Sequence, residues 1–250
     1  MVRLYRENRE KIGILVKSKI KFILFEPSHP GNVGAAARAI KTMGFDTLCL
    51  INPIEHPHPE ARARSSGALD ILLNAEVYGN LQDAIKDCGL IIGTTSRTRR
   101  ISVPITNIRE AAPSIVAEAK KKPVAVIFGP EKSGLINQQV DCCNQLVNIP
   151  SSESYKSLNL AMAVQIVAYE LSVAGQALPA EIRARNLASN DEIELFYAHL
   201  NQVLLETGFL DPKNPKQLMR RLRTLFNRAQ MDENEINIMR GILASYKAKQ

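Results

Sequence analysis

Three polar stretches of this chain carry side chains whose types and spacing suit chemistry. In "SHPGNVGAAARAI" an amide, Asn32, stands six residues ahead of a guanidinium, Arg38. In "GPEKSGL" a single carboxylate, Glu131, lies between Gly129 and Gly134. In "SSESYKSLN" Ser151, Ser152, Ser154, Tyr155, Ser157 and Asn159 crowd into nine positions directly before a long apolar helix pattern. One such residue suffices to cap a helix, because a single side-chain oxygen satisfies the free N–H groups of the first turn. The excess predicts a loop that holds something besides its own helix.

Other chemistries find no support. "GNVG" lacks the G-x-G-x-x-G spacing of a dinucleotide site, and "GPEKSG" lacks the order in which a P-loop leads its lysine into a helix. No G-x-S-x-G elbow is present, and His29 is the only imidazole in these loops, so a hydrolase is disfavoured. Cys49, Cys88, Cys142 and Cys143 show no C-x-x-C spacing and read as small apolar side chains. His56 and His58 offer two ligands without a third, so no metal is expected.

The elements that must position these stretches follow from periodicity. Short apolar runs, "KFILFEP", "TLCLINP", "AEVYG", "LIIGTT", "VAVIFGP" and "QLVNIP", read as strands. They alternate with helical patterns near 33–43, 65–73, 81–87, 107–121, 137–143 and 158–174. The alternation predicts an α/β fold with a mostly parallel sheet covered on both faces, whose ligands bind beyond the carboxyl ends of the strands. The three polar stretches and a fourth, "TTSRTRR", each follow a strand, which predicts one composite site. The later loops would supply backbone and hydroxyl groups to a small ligand. The loop "SHPGNVGAAAR" and the loop "TTSRTRR" would offer arginines, among them Arg97, to a polyanion.

With 250 residues and 45% hydrophobic content the chain is long enough for one large and one small domain. Its formal charge of +7 favours an anionic partner. The basic start "MVRLYRENREKIGILVKSK" has no long apolar core, and nothing approaches the roughly 20 apolar residues of a membrane span, so a cytoplasmic location without membrane contact is expected. Residues 1–175 form the expected α/β domain and residues 176–188 a linker. Residues 189–250 form a helical extension opening on a cap signal at Ser189 or Asn190. Its middle helix gathers Lys216, Arg220, Arg221, Arg223 and Arg228, with no acidic residue among them, a cluster suited to phosphates.

The three stretches "EPSHPGNVGAAARAIKTMGF", "VAVIFGPEKSGL" and "IPSSESYKSLNLAMAVQIVAYEL" resemble the signature motifs of the SPOUT superfamily of RNA methyltransferases, in its TrmH-like 2′-O-methyltransferase branch. The "SLNLAMAVQ" variant and the helical tail are similar to members that methylate the ribose of nucleotide 32 in the tRNA anticodon loop. The resemblance implies a deep trefoil knot at the end of the α/β domain, with S-adenosylmethionine bent inside it. By position it puts Thr94, Thr95, Ser96, Gly129, Ile149, Lys156, Ser157 and Leu158 at the cofactor. It gives Arg38 the target phosphate, and places Asn32, Glu131, Ser157 and Asn159 at the remaining catalytic positions, Glu131 pairing with Arg38. It also implies a homodimer acting on tRNA rather than DNA. A ribosomal RNA 2′-O-methyltransferase and a non-catalytic RNA-binding relative are the alternatives.

Overall fold

The computed structural model describes residues 18–97, 103–177 and 186–247. The basic N-terminal stretch, the end of "TTSRTRR" and most of the expected linker lie outside the described residues. Seven strands form one sheet: β1 Ile20–Phe25, β2 Leu48–Ile51, β3 Glu76–Tyr78, β4 Leu90–Thr94, β5 Ile105–Asn107, β6 Val124–Phe128 and β7 Gln145–Asn148. Their order is β3-β2-β1-β6-β4-β7-β5, and every pairing is parallel. The interior strands β2 and β6 are buried at every position, as a sheet covered on both faces requires. The edge strands β3 and β5 have three residues each, and "ITN" carries too little apolar alternation for β5 to be read from sequence.

The side-chain alternation along β1 sorts the helices onto two faces. Ile20, Phe22 and Leu24 meet α1 (Pro30–Thr42), α5 (Ile108–Ala119) and α7 (Leu160–Ala177). Ile23, with Cys49, Ile51 and Ile127, meets the short helices α4 (Leu81–Ile85) and α6 (Asn137–Val140). The helix expected near 65–73 begins earlier and in pieces: α2 (Pro59–Ser65), a 3₁₀ turn (Ser66–Ala68) and α3 (Leu69–Leu73). His58 caps α2, its Nδ1 accepting the Glu60 N–H at 3.1 Å. Glycine at position 34 brings α1 and α2 together, since a Cβ there would collide with the backbone of Ala61. The thiols of Cys49, Cys88 and Cys143 are buried, and none of the four cysteines forms a disulfide. Burial pushes the Cys49 thiol up to about 12, so it stays protonated at neutral pH.

Three tail helices, α8 (Asn190–Glu206), α9 (Leu218–Ala229) and α10 (Glu233–Lys247), enclose their own core around Phe196, Tyr197 and Ile236. Ser189 caps α8 in a capping box with Glu192. The tail docks on the amino ends of the strands. Asn190 N–H donates to the Cys88 carbonyl at 3.0 Å, and Lys122 Nζ reaches Glu233 at 2.6 Å. Asn227 Nδ2 donates to the Asp141 carbonyl at 3.0 Å, and its own Oδ1 accepts from Tyr197 at 2.7 Å.

This docking corrects the expected phosphate cluster. Arg223 makes a two-pronged ion pair with Glu194, at 2.6 and 2.7 Å, while its guanidinium lies 4.3 Å over the Tyr197 ring. The hydrogen bonds it donates to Glu194 raise the already high pKa of Arg223. Arg220 Nε is held by Asp141 at 3.0 Å. Both acidic partners lie outside the middle helix, so its local sequence could not announce them. Lys216, Arg221 and Arg228 remain exposed and form no ion pair among the described residues.

Candidate active site at the carboxyl ends of the strands

The chain leaves β1 and β2 through Glu26 and Asn52, both non-glycine residues in the left-handed region with φ of 47° and 44°. Such turns cost energy and concentrate where a site needs its loops aimed. From Glu26 the first polar loop leads into α1, and there the three stretches meet. Glu131 accepts from Ser28 N–H at 2.9 Å, Ser28 Oγ at 2.8 Å and Asn32 Nδ2 at 2.9 Å. Asn32 Oδ1 in turn accepts from Asn159 Nδ2 at 2.9 Å. Asn159 Oδ1 accepts from Ala161 N–H at 3.0 Å and so caps α7. A single chain of hydrogen bonds therefore ties the first loop, the Glu131 loop and the final helix. Burial pushes the Glu131 carboxyl up, but the bonds from Asn32 and Ser28 outweigh it and hold the pKa below its ordinary value.

Beside this chain lies a cavity of about 330 Å³, a size that suits a small molecule. Thr94, Thr95, Ser96, Gly129, Ile149, Lys156, Ser157 and Leu158, all expected at the cofactor, line it, as do Arg97 and Glu131. Phe128, Leu135, Val147, Leu160 and Ala163 add apolar wall that motif positions did not mark. Their signal was the apolar runs themselves, which look the same in any buried strand or helix. Lys132 and Ser133 add polar rim.

Several expected roles change. The hydroxyls of Thr94 and Thr95 are spent inside the protein, Thr94 Oγ1 donating to the Ile127 carbonyl at 3.0 Å and Thr95 Oγ1 accepting the Arg97 N–H at 3.2 Å. What that loop has left for the cavity is its backbone and the Ser96 hydroxyl. Gly129 is required because the Gly134 and Leu135 backbone packs against it, where a Cβ would collide, so the close approach is made by the loop's own return. Of the serine-rich run, Ser152 and Ser154 bond each other at 2.8 Å across a tight turn, and Ser152 bridges to Tyr155. Lys156, Ser157 and Leu158 alone turn to the cavity. Ser157 makes no side-chain hydrogen bond among the described residues and is exposed. The expected Glu131–Arg38 pair is absent among the described residues, since Glu131 is committed to Ser28 and Asn32. Arg38 projects, exposed, from α1 and has no carboxylate in salt-bridge range among them.

A parallel sheet whose polar loops close a mixed pocket beyond the carboxyl ends of its strands is the ligand-binding arrangement of the α/β class. The chain belongs to the SpoU rRNA Methylase family, which it matches over residues 19–169, and is thereby a methyltransferase. Residues 191–250 match the tRNA methyltransferase TrmJ, C-terminal domain. Along 231 residues the chain is 44% identical to the tRNA (cytidine/uridine-2'-O-)-methyltransferase TrmJ of Citrobacter koseri, covering 90% of this chain and 95% of that protein. The crystal structure of TrmJ from Z. mobilis ZM4 superposes with a TM-score of 0.78 at 32% identity, over 91% of this chain and 98% of that one. The SpoU methyltransferase AviRb from Streptomyces viridochromogenes, solved in complex with AdoMet, shares the fold at a TM-score of 0.50 and 22% identity, over 62% of this chain and 60% of that one.

Proposed function

We propose that this chain is an S-adenosylmethionine-dependent tRNA ribose 2′-O-methyltransferase, with nucleotide 32 of the anticodon loop as its target. The observation that carries the reading is the meeting of three loops at one pocket through Glu131, Asn32 and Asn159. The pocket fits the cofactor chemically: Ile149, Leu158 and Leu160 offer apolar surface to a purine, and the Thr94–Ser96 backbone offers polar groups to its edge and ribose. When bound, S-adenosylmethionine supplies a methyl group already activated by its sulfonium. Residues 1–175 would carry catalysis, residues 176–188 the link and residues 189–250 further RNA contact through Lys216, Arg221 and Arg228. The cofactor loops would form the trefoil knot, and a second copy would complete the site.

The protein's remaining task is placement and the handling of one proton. Arg38, with no carboxylate to neutralise it, would grip the phosphate next to the target ribose and stabilise the alkoxide that develops as the 2′-hydroxyl is deprotonated. A guanidinium is not deprotonated in proteins and so makes a poor base. Ser157 Oγ, on the pocket wall, would orient the hydroxyl. Asn32, Glu131 and Asn159 would act by fixing the pocket walls and the start of α1.

The family description names rRNA, whereas the tail and the Citrobacter relative point to tRNA. Purified protein should methylate the ribose of nucleotide 32 in tRNA transcripts given S-adenosylmethionine, read by ribose-methylation mapping. Methylation of ribosomal RNA alone would overturn the substrate, and cofactor binding without turnover on either RNA would leave a binding protein.

A further inference from the structure

We propose that Arg64 is a second RNA phosphate contact beside Arg38, at a position none of the motifs marks. The proposal rests on the RNA methyltransferase reading and extends its substrate surface. Helix α2 lies against α1 at Gly34, which carries Arg64 over the first turn of α1: a Cβ at Gly31 would fall 2.9 Å from Arg64 Nε and 2.6 Å from Glu60 Oε1. Gly31, Ala35 and Arg38 follow the i, i+4, i+7 spacing of one helix edge. Seven residues separate Gly31 from Arg38, or about 10 Å along the axis. Two guanidinium groups therefore stand along one outward edge of the helix that begins at Asn32 and the pocket.

The state of Arg64 suits it to this task. Its side chain is 62% exposed, and its one ion pair among the described residues is made through Nε, 3.3 Å from Glu60 Oε1. The same Glu60 oxygen lies 3.9 Å from His29 Nδ1, which places the pair beside the first loop. Glu60 is the only carboxylate in salt-bridge range of this guanidinium, and its terminal NH₂ groups make no hydrogen bond, among the described residues. A guanidinium steadied at Nε with its terminal donors free is arranged for two-pronged contact with a phosphate. An exposed pair alone contributes little to stability.

The test uses full-length protein and tRNA over a salt series. Arg64→Ala should weaken tRNA binding and lower the slope of log K against log salt by about 1, the signature of one lost phosphate contact. Methylation should suffer most at low tRNA and recover as tRNA is raised, whereas Arg38→Ala should not recover. Arg64→Lys should restore part of the slope. Gly31→Ala, which displaces the Glu60–Arg64 pair, should reproduce part of the loss while cofactor binding is unchanged. An unaltered salt slope in Arg64→Ala, with the parent protein methylating tRNA normally, would show a solvated surface ion pair only and overturn the proposal. Failure of the parent protein to methylate any RNA would instead overturn the reading beneath it.

Discussion

Arg38, on α1, and Glu131, on the loop after β6, do different work. Glu131 holds three donors on two oxygens, whereas Arg38 is left uncompensated for an anion from outside. Arg38→Ala should therefore leave folding and cofactor affinity intact and lower the single-turnover rate at saturating tRNA by about a hundredfold or more, as loss of a transition-state contact does. Arg38→Lys should rescue poorly, because an ammonium cannot reproduce the fork. Glu131→Gln would turn an amide toward the Ser28 donors and cost about 1–3 kcal/mol, measurable by urea unfolding. Because the folded-state pKa of Glu131 is depressed, its contribution is complete above its ordinary value of 4.5 and is lost as pH falls through the lower folded value. The acid limb of the parent's stability curve should flatten in Glu131→Gln.

At the scale of elements, α9 splits its cations by direction. Arg223 and Arg220 point inward to Glu194 and Asp141, while Arg221 and Arg228 point to solvent. Arg223→Ala should lower the melting temperature, since it strands Glu194 and uncovers Tyr197, with a cost of about 1–3 kcal/mol. Arg221→Ala should leave melting unchanged and weaken tRNA binding with a shallower salt slope. Equal thermal losses in both variants would contradict this division. The helix α7 shows a comparable split: Val164, Val167 and Leu171 are buried, while Met162, Tyr169 and Val173 are 62%, 51% and 42% exposed.

For the whole molecule, those three exposed residues follow an i, i+7, i+11 stripe on the helix whose cap belongs to the pocket network. Their burial by a second copy would couple assembly to the site. Tyr169→Asp should shift sedimentation toward a monomer and abolish methylation, with near-parent circular dichroism. A monomeric parent protein, or an active monomeric variant, would refute that coupling. The tail, meanwhile, sits at the amino ends of the strands and the pocket at their carboxyl ends. RNA held by both must therefore wrap an edge of the subunit or reach from one copy to the other.

Strand and helix alternation, the parallel sheet, and the loops that line the pocket were legible in the residues, because apolar runs and turn-forming residues act locally. A cap signal at Ser189 or Asn190 was legible for the same reason, and the structure gives that cap to Ser189 and the cap of α7 to Asn159. What stayed hidden depended on partners far along the chain. Glu131 is 99 positions from Asn32, and Asn159 is 127 from it, so whether the carboxylate would bind an amide or Arg38 was settled by packing alone. Likewise Arg223 looked like its neighbour Arg221 until α8 brought Glu194 beside it. A residue's type and local spacing determine which interactions it can make, but only the tertiary structure decides which partner is near enough to make them, because hydrogen bonds and ion pairs weaken steeply with distance.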